Sequence, residues 1–228
     1  MKWVVRLREA PVTAVFLVAN IAMYVAMVAD SGHVVSFDIE TLVRAGASVH
    51  VSTFDATPWR WLSAAFIHGG LLHLVMNMWV LAQIGVLAER AIGRGLFAAI
   101  YVVGGTAGNI LSSVVGPYLV AGPRVSVGAS GAIMGLIGAS VVFAWRTGQG
   151  AIARNLLTNV AFIFVVGFFA NVDNLAHLGG LLVGALAGFA RARWTLPVSR
   201  RTDVLLMSAS AVFSLASLII VHAYGGVR

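Results

Sequence analysis

Residues 174–190 read NLAHLGGLLVGALAGFA and contain no Asp, Glu, Lys or Arg. A helix needs about 20 residues, with a range of roughly 17 to 25, to cross the hydrocarbon core of a bilayer. The stretch has that length, and in lipid its backbone polar groups are satisfied only if it is helical. It therefore predicts a membrane-spanning helix, and six further charge-free blocks predict the same. These blocks are residues 11–29, 61–88, 95–123, 125–145, 155–172 and 204–227.

The composition of the whole chain agrees with this interpretation. Of the 228 residues, 60% are apolar and 10% are charged, and the mean hydropathy is +0.94. A soluble domain usually carries about 25% charged residues, so the composition excludes an ordinary soluble enzyme as well as a disordered chain. The absence of Cys excludes a disulfide framework, a thiolate metal site and a cysteine nucleophile. We predict an all-α fold: a polytopic membrane helical bundle in one domain, residues 1–228.

The chain has a net charge of +7, and the basic residues that produce it lie between the apolar blocks. This placement indicates orientation in a membrane and not a nucleic-acid partner. With the N-terminus in the cytoplasm, only Arg44, Arg60, Arg124 and Arg228 fall on the outer side. The inner side then holds Lys2, Arg6, Arg8, Arg90, Arg94, Arg146, Arg154, Arg191, Arg193, Arg200 and Arg201. The positive-inside rule therefore predicts a cytoplasmic N-terminus and an external C-terminus, with the loop 30–60 outside.

Three clusters of polar residues stand out within the blocks, because polar groups are costly to bury in lipid without a function. These are residues 68–77, 128–131 and 174–180. Counting 1.5 Å per helical residue from the outer boundary places Ser130 and His177 about 6 to 9 Å deep. His73 and Asn77 share a helix face and reach a similar depth if Gly69-Gly70 starts their helix. Each group alone is also compatible with ordinary helix packing.

The residue types in this layer fit one reaction. Serine needs a base to become a nucleophile, and histidine is the usual one, so Ser130 and His177 form a candidate dyad. His73 and Asn77 could donate hydrogen bonds to the oxyanion of a tetrahedral intermediate. The small residues that would let the two helices approach are Gly131, Gly135, Gly180 and Gly184. This chemistry calls for no metal and no cofactor.

These residues resemble the rhomboid family of intramembrane serine proteases, and the resemblance covers nearly the whole chain. The family's Gly-x-Ser-Gly motif resembles residues 128–131, its Ala-His-glycine motif residues 176–184, and its His-x-x-x-Asn motif residues 73–77. An outer Trp-Arg pair is similar to Trp59-Arg60, followed by His68, and Glu89 also matches. The resemblance implies a six-helix rhomboid-like core over about 11–192 and an extra transmembrane helix over about 204–225.

The resemblance also implies roles for these residues. Ser130 would be the nucleophile, His177 the general base and then acid, and His73 and Asn77 the oxyanion donors. Trp59, Arg60 and Glu89 would be structural, and the site would be supported by Gly128, Gly131, His68, Met134, Gly180 and Gly184. Met134 departs from the family, which commonly has an aromatic residue there. We expect its thioether to pack against the imidazole in place of a ring.

By the same resemblance, the substrates would be membrane-anchored proteins with a transmembrane segment that unwinds easily, cut in a bacterial inner membrane. The fifth span would be a moving gate for lateral entry from lipid. The phenylalanines of that span are Phe162, Phe164, Phe168 and Phe169, and an equally good interpretation is that they merely face lipid. The sequence does not identify the substrate or an oligomeric state.

Two other functions compete with proteolysis. One is a rhomboid relative that binds membrane clients without cutting them, which would be expected to lack Ser130 or His177. The other is a small transporter, which predicts intramembrane carboxylates or repeated halves. A zinc protease needs His-Glu-x-x-His, whereas His68 and His73 are five residues apart with no Glu between them. An aspartyl protease needs two buried Asp, which the blocks lack.

Overall fold

A computed structural model of the chain describes residues 7–50, 57–119, 124–169, 172–194 and 199–224. Most of these residues are helical, which confirms the predicted all-α class. The helices are α1 Pro11–Ser31, α2 Ile39–Ala45, α3 Arg60–Ser63, α4 Leu71–Ile92, α5 Arg94–Leu119, α6 Ser130–Arg146, α7 Gly150–Phe169, α8 Asn174–Trp194 and α9 Arg200–Tyr224. Two short strands, β1 Ser48–His50 and β2 Arg124–Ser126, pair antiparallel. The predicted block ends at 123 and 227, and the charges at Lys2, Arg6 and Arg228, lie outside the described residues.

Each predicted block contains a long apolar helix. Helices α1, α4, α5, α8 and α9 are long and apolar enough to cross a membrane. Helices α6 and α7 are apolar as well but shorter over their described apolar stretches. At 1.5 Å per residue, the 17 residues of α6 span about 25 Å.

Two blocks are not one continuous helix from their first residue. For block 61–88 this agrees with the expectation that its helix starts at Gly69-Gly70, since Gly70 is the N-cap of α4. Block 61–88 begins with α3, a 3-10 turn (Ala64–Phe66) and an extended Ile67, and α4 starts only at Leu71. The reason is that residues 67–70 pair with the segment between α1 and α2 instead of continuing a helix. Phe37 donates to the Gly69 carbonyl (3.2 Å), and the Leu71 amide donates to the Val35 carbonyl (2.9 Å).

Block 125–145 is likewise helical only from Ser130 onward. Its first residues form β2, where Val125 faces Val49 of β1, and Gly128 then takes a φ of 122° that a helix cannot accommodate. The depth calculated for Ser130 from a continuous helix was therefore wrong, because residues 124–129 do not advance at a helical rise. Ser130 is instead the first residue of its helix.

Helix α6 forms the centre of the bundle. Residues 131–141 are all buried, and α6 packs against α4, α5, α7 and α8. Its contact with α8 is backbone to backbone: a Cβ at Gly180 would overlap the carbonyl oxygen of Gly131, and one turn further a Cβ at Gly184 would overlap that of Gly135. Because both series advance together, α6 and α8 run parallel and begin at the same end of the bundle.

Glu89 joins α1 to α4 at the opposite end. Its side chain is buried and accepts hydrogen bonds from the amides of Val12 (3.2 Å) and Thr13 (2.7 Å) and from the Thr13 hydroxyl (2.8 Å). A carboxylate at a helix N-terminus satisfies free amides and complements the helix dipole. Glu89 thus fixes the start of the first helix.

Helix α9 lies against α5 and α3. At one end, Asp203 accepts a hydrogen bond from the Gly95 amide (3.0 Å). At the other end, the Ser217 hydroxyl donates to the Trp59 carbonyl (2.9 Å), and Val221 packs on Gly46. Helix α9 therefore contacts the segment before α3, on which Trp59 lies.

Candidate active site

A cavity of about 480 Å³ opens where α4, α6 and α8 begin. Ser130, His73, Gly128 and Asp173 line it, and Val35 of the outer loop forms part of its wall. The three polar segments that the sequence predicted to share a layer, residues 68–77, 128–131 and 174–180, therefore meet at this cavity. Among the described residues, neither His177 nor Asn77 belongs to the lining.

Ser130 occupies an open helix N-terminus. The first backbone hydrogen bond of α6 runs from the Ile133 amide to the Ala129 carbonyl (2.9 Å), and no described side chain caps the helix. The amides of Ser130 and Gly131 therefore have no partner within the helix, and both residues line the cavity. Such an end favours an anion, including the oxyanion of an attacked carbonyl.

Gly128 brings His73 close to the serine hydroxyl. A Cβ built on Gly128 would lie 2.9 Å from both Cε1 and Nε2 of His73 and 3.8 Å from Oγ of Ser130. The imidazole and the hydroxyl thus border the same small volume. Glycine is required there for two reasons, because its φ is positive and because a side chain would strike the imidazole.

The hydrogen bonds of His73 indicate which nitrogen carries its proton. The Gly69 amide donates to Nδ1 of His73 over a long 3.4 Å, which makes Nδ1 the acceptor. In the neutral ring Nε2 then carries the hydrogen, and Nε2 is on the Gly128 side, toward Ser130. His73 therefore presents a donor to the cavity. The fully buried His68 packs against it with ring centroids 5.1 Å apart.

Asn77 follows His73 by one turn of α4. Its side-chain amide donates to the His73 carbonyl one turn earlier in α4 (2.9 Å), and the residue is buried. This hydrogen bond uses one of the two N–H donors of the amide, so the second donor stays available for an oxyanion.

His177 is buried just behind the cavity wall, with 2% of its surface exposed. Among the described residues, neither of its ring nitrogens has a hydrogen-bond partner, and this includes Ser130. The edge of its ring meets Phe164 of α7 at 6.1 Å between centroids. The preceding residue, Ala176, lies against the nucleophile's helix, since a Cβ on Gly131 would be 3.3 Å from the Ala176 carbonyl oxygen. The bundle thus places an unpartnered imidazole one residue away from a contact with α6.

Arg60 connects the cavity's outer loop to the bundle. Its guanidinium donates to the carbonyls of Val43 and Ala47, the latter at 3.2 Å. Trp59 lies immediately before α3, and its carbonyl accepts the hydrogen bond from the Ser217 hydroxyl of α9. Both residues therefore belong to the support of the loop that borders the cavity.

A polar network beside the cavity was missed in the sequence. The carboxylate of Asp173 accepts from the hydroxyls of Ser112 and Ser126, each at 2.6 Å. Asn109 approaches Ser126 (3.2 Å) and donates to the Trp61 carbonyl (2.8 Å). One signal was available, because Asn109 and Ser112 are three apart in an apolar block and so share a helix face. Asp173 lies between two of the charge-free blocks, where an acidic residue gives no such signal.

A family model of the rhomboid domain matches residues 55–194, which is more than half of the chain. The chain belongs to the rhomboid family. It is 34% identical over 209 residues to rhomboid protease GluP of Bacillus subtilis, covering 90% of this chain and 39% of that protein. It is 38% identical over 157 residues to RHOMBOID-like protein 5 of Arabidopsis thaliana, covering 66% and 50%. It is 28% identical over 201 residues to rhomboid protease AarA of Providencia stuartii, covering 78% and 71%.

Family membership and the apolar helices together make this rhomboid an integral, multi-pass membrane protein. Several of its relatives are named proteases. The chain spans about two fifths of the length of the Bacillus relative and half that of the Arabidopsis one.

The rhomboid motif residues fall into two groups in this fold. Gly128, Ser130 and His73 border the cavity itself. Met134, which replaces the family's usual aromatic residue, is buried one turn after Ser130 with 1% of its surface exposed. It therefore belongs to the packed centre of the bundle.

Proposed function

We propose that this rhomboid is an intramembrane serine endopeptidase that uses Ser130 as nucleophile and His177 as general base. One observation carries the proposal. Ser130 starts a helix at an open cavity, and that helix is joined backbone to backbone to the helix of an unpartnered, buried His177. Catalytic hydrogen bonds are often long or unformed without substrate and tighten in the complex, so the unbonded dyad fits a resting enzyme.

In the proposed reaction, His177 accepts the Ser130 proton as Oγ attacks the scissile carbonyl carbon. The resulting oxyanion is held by the amides at the start of α6 and by the Nε2 donor of His73, with Asn77 as a proposed further donor. The imidazolium then gives its proton to the leaving amine, and the C–N bond breaks. Water, deprotonated by His177, attacks the acyl-enzyme and releases the new carboxyl terminus and Ser130.

The substrate class follows from the position of the cavity. Its lining combines apolar side chains such as Val127 and Val172 with the polar groups above, and it opens at one end of a membrane bundle. We propose that it takes membrane-anchored proteins whose transmembrane segment unwinds near that end, because a helix must open before its backbone can be attacked. No cofactor enters this scheme.

We further propose that the cavity faces the outside of a bacterial inner membrane, with the N-terminus in the cytoplasm. The support is the uneven distribution of Lys and Arg between the two ends of the bundle. The chain has no Cys, so a single cysteine at exposed Val34 can be tested with a membrane-impermeant thiol reagent. We expect labelling in spheroplasts, whereas labelling only after lysis would reverse the assignment.

A fluorophosphonate tests the proposed nucleophile without a known substrate. With purified protein in liposomes, we expect one covalent adduct, which peptide mapping places on Ser130. The control is Ser140→Ala: this buried serine of the same helix donates to the Leu136 carbonyl (2.8 Å), and its loss should leave labelling intact. An adduct on another serine would overturn the assignment. A folded wild-type protein that neither labels nor cleaves would instead favour a relative that only binds membrane clients.

A further inference from the structure

We propose that Asp173 is a positioning residue that holds the start of the His177 helix against the strand leading to Ser130. The inference rests on the proposed function, since it assigns Asp173 to the alignment of that dyad. It is drawn from three hydrogen bonds of one carboxylate, which join three separate elements of the fold.

The first contact is with α8 itself. Oδ1 of Asp173 accepts a hydrogen bond from the Ala176 amide (3.0 Å), and the Asp173 backbone carbonyl accepts from the His177 amide (3.1 Å). Asp173 is therefore the N-cap of α8, and its two acceptors hold the base and the residue before it. The direction in which α8 presents the imidazole depends on this first turn.

The second and third contacts leave α8. Oδ2 of Asp173 accepts from Ser126 of β2 and from Ser112 of α5, both at 2.6 Å. These short distances are typical of hydroxyls donating to an ionised carboxylate. Ser126 is 3% exposed and lies four residues before Ser130. One carboxylate thus connects the segment before the nucleophile to the first turn before the base.

The alternative partners of these serines are poor. Ser126 also approaches Oδ1 of Asn109, but at 3.2 Å, and its hydroxyl has only one hydrogen to donate. Ser112 is 2% exposed and has no other described partner. Removing the carboxylate would leave a buried hydroxyl without its acceptor, which favours a shift of β2 or α5. Such a shift would move Ser130 relative to His177.

Asp173 does not act as a third member of a catalytic triad in this geometry. Both of its oxygens are engaged by the three donors above, and among the described residues the His177 ring nitrogens have no partner. The influence that we propose is exerted through the backbone of α8 and through β2, which is why we describe Asp173 as a positioning residue.

The test compares Asp173→Ala with Asp173→Asn. Asparagine caps helices about as well as aspartate, and its amide can still bond with serine hydroxyls. We expect Asp173→Ala to slow fluorophosphonate labelling of Ser130 by about 10- to 100-fold, the scale of a misplacement of about 1 Å. Asp173→Asn should label within about threefold of the wild-type rate, since both the N-cap and the contacts with the serine hydroxyls survive. For a transmembrane substrate, kcat should fall in Asp173→Ala while KM is unchanged, as expected when only the reacting groups are misaligned.

Asp38 provides a matched control. It is also an aspartate N-cap, accepting from the Thr41 amide (2.8 Å) at the start of α2, but it lies on the exposed outer loop. That hydrogen bond lowers the pKa of the Asp38 carboxyl below its ordinary value. Asp38→Ala should leave the labelling rate of Ser130 unchanged.

Ser126→Ala tests the link from Asp173 to β2, which we call the clamp, separately from the N-cap of α8. It removes the Ser126 hydroxyl that bonds to Asp173 and leaves α8 capped. We expect it to slow labelling, and we expect the double variant with Asp173→Ala to be no slower than Asp173→Ala alone. The proposal is overturned if Asp173→Ala labels like wild type at a temperature where it is folded. It is equally overturned if KM rises while kcat is unchanged.

Hydrogen exchange separates this proposal from the proposed function. In Asp173→Ala, the amides of residues 124–130 and 174–178 should lose protection relative to wild type, whether or not the protein is a protease. If protection is lost but wild type carries no fluorophosphonate adduct, the clamp stands and the protease assignment fails. If wild type labels on Ser130 and protection is unchanged in Asp173→Ala, the clamp fails and the protease assignment stands.

Discussion

Cleavage of a transmembrane substrate in proteoliposomes should fall by roughly 10⁴- to 10⁶-fold in Ser130→Ala, the scale seen when a serine nucleophile is removed. His177→Ala should lose a similar factor, because an unactivated serine hydroxyl is a poor nucleophile at neutral pH. The double variant should be no slower than Ser130→Ala, since the two groups act as one unit. The measurement is the initial rate of product formation at saturating substrate.

Two controls accompany this prediction. Ser140→Ala removes a serine of the same helix and should retain the wild-type rate. The thermal unfolding curve of Ser130→Ala should stay close to wild type, because Ser130 is only half-buried. His177→Ala removes a buried ring and should lower the unfolding temperature, so its rate is measured at a temperature where it is folded. Residual cleavage by Ser130→Ala at more than about a hundredth of the wild-type rate would contradict the assigned nucleophile.

The second large effect concerns the backbone contact between α6 and α8. Gly184→Ala places a Cβ on the carbonyl oxygen of Gly135, and neither group belongs to a flexible side chain that could move aside. The helices must separate, and overpacking of this kind typically costs about 1–3 kcal/mol, occasionally more. Because the same helices carry Ser130 and His177, we expect fluorophosphonate labelling to fall by about 100-fold or more.

Gly104→Ala is the matched control for Gly184→Ala. Gly104 is a helical glycine of α5 that faces the same contact, but a Cβ there would lie 3.6 Å from Cα of Gly135, an ordinary van der Waals distance. Alanine at Gly104 should leave labelling unchanged and raise the unfolding temperature slightly, since it is the better helix former. Equal behaviour of the two variants in labelling and thermal unfolding would show that the close approach of α6 and α8 does not matter.

The helices were predictable, and the segments that enter the site were not. Charge-free blocks predict helices because lipid offers the backbone no hydrogen-bond partners. A charge-free run can equally be loop buried inside protein, and Phe66 and Ile67 are such residues, both almost fully buried before α4 begins. Hydropathy does not distinguish these two environments, which explains why residues 125–129 were assigned to a helix and why residues 61–68 were included in a charge-free block.

The candidate site shows the same division. Ser130, His73 and the glycine motifs could be selected from the sequence, because polar and small residues within apolar blocks are rare enough to stand out. Asp173 and Ser126 could not, since an acidic residue between two blocks and a serine near a block end are both unremarkable in a sequence. Their importance arises only from the hydrogen bond between them, across 47 residues of chain.

The order of residues is enough to predict a bundle of apolar helices and to select the side chains with chemical reactivity, because a bilayer leaves no backbone polar group unpaired and makes buried polar side chains costly. How those side chains face one another depends on contacts between distant parts of the chain. Ser130 begins its helix because Gly128 and the β1–β2 pairing stop any helix before it. His177 reaches its place because the carbonyls of Gly131 and Gly135 fit against Gly180 and Gly184 of α8. The spacing of these glycines predicted that the two helices approach, whereas the register in which their backbones meet depends on the packing of the whole bundle.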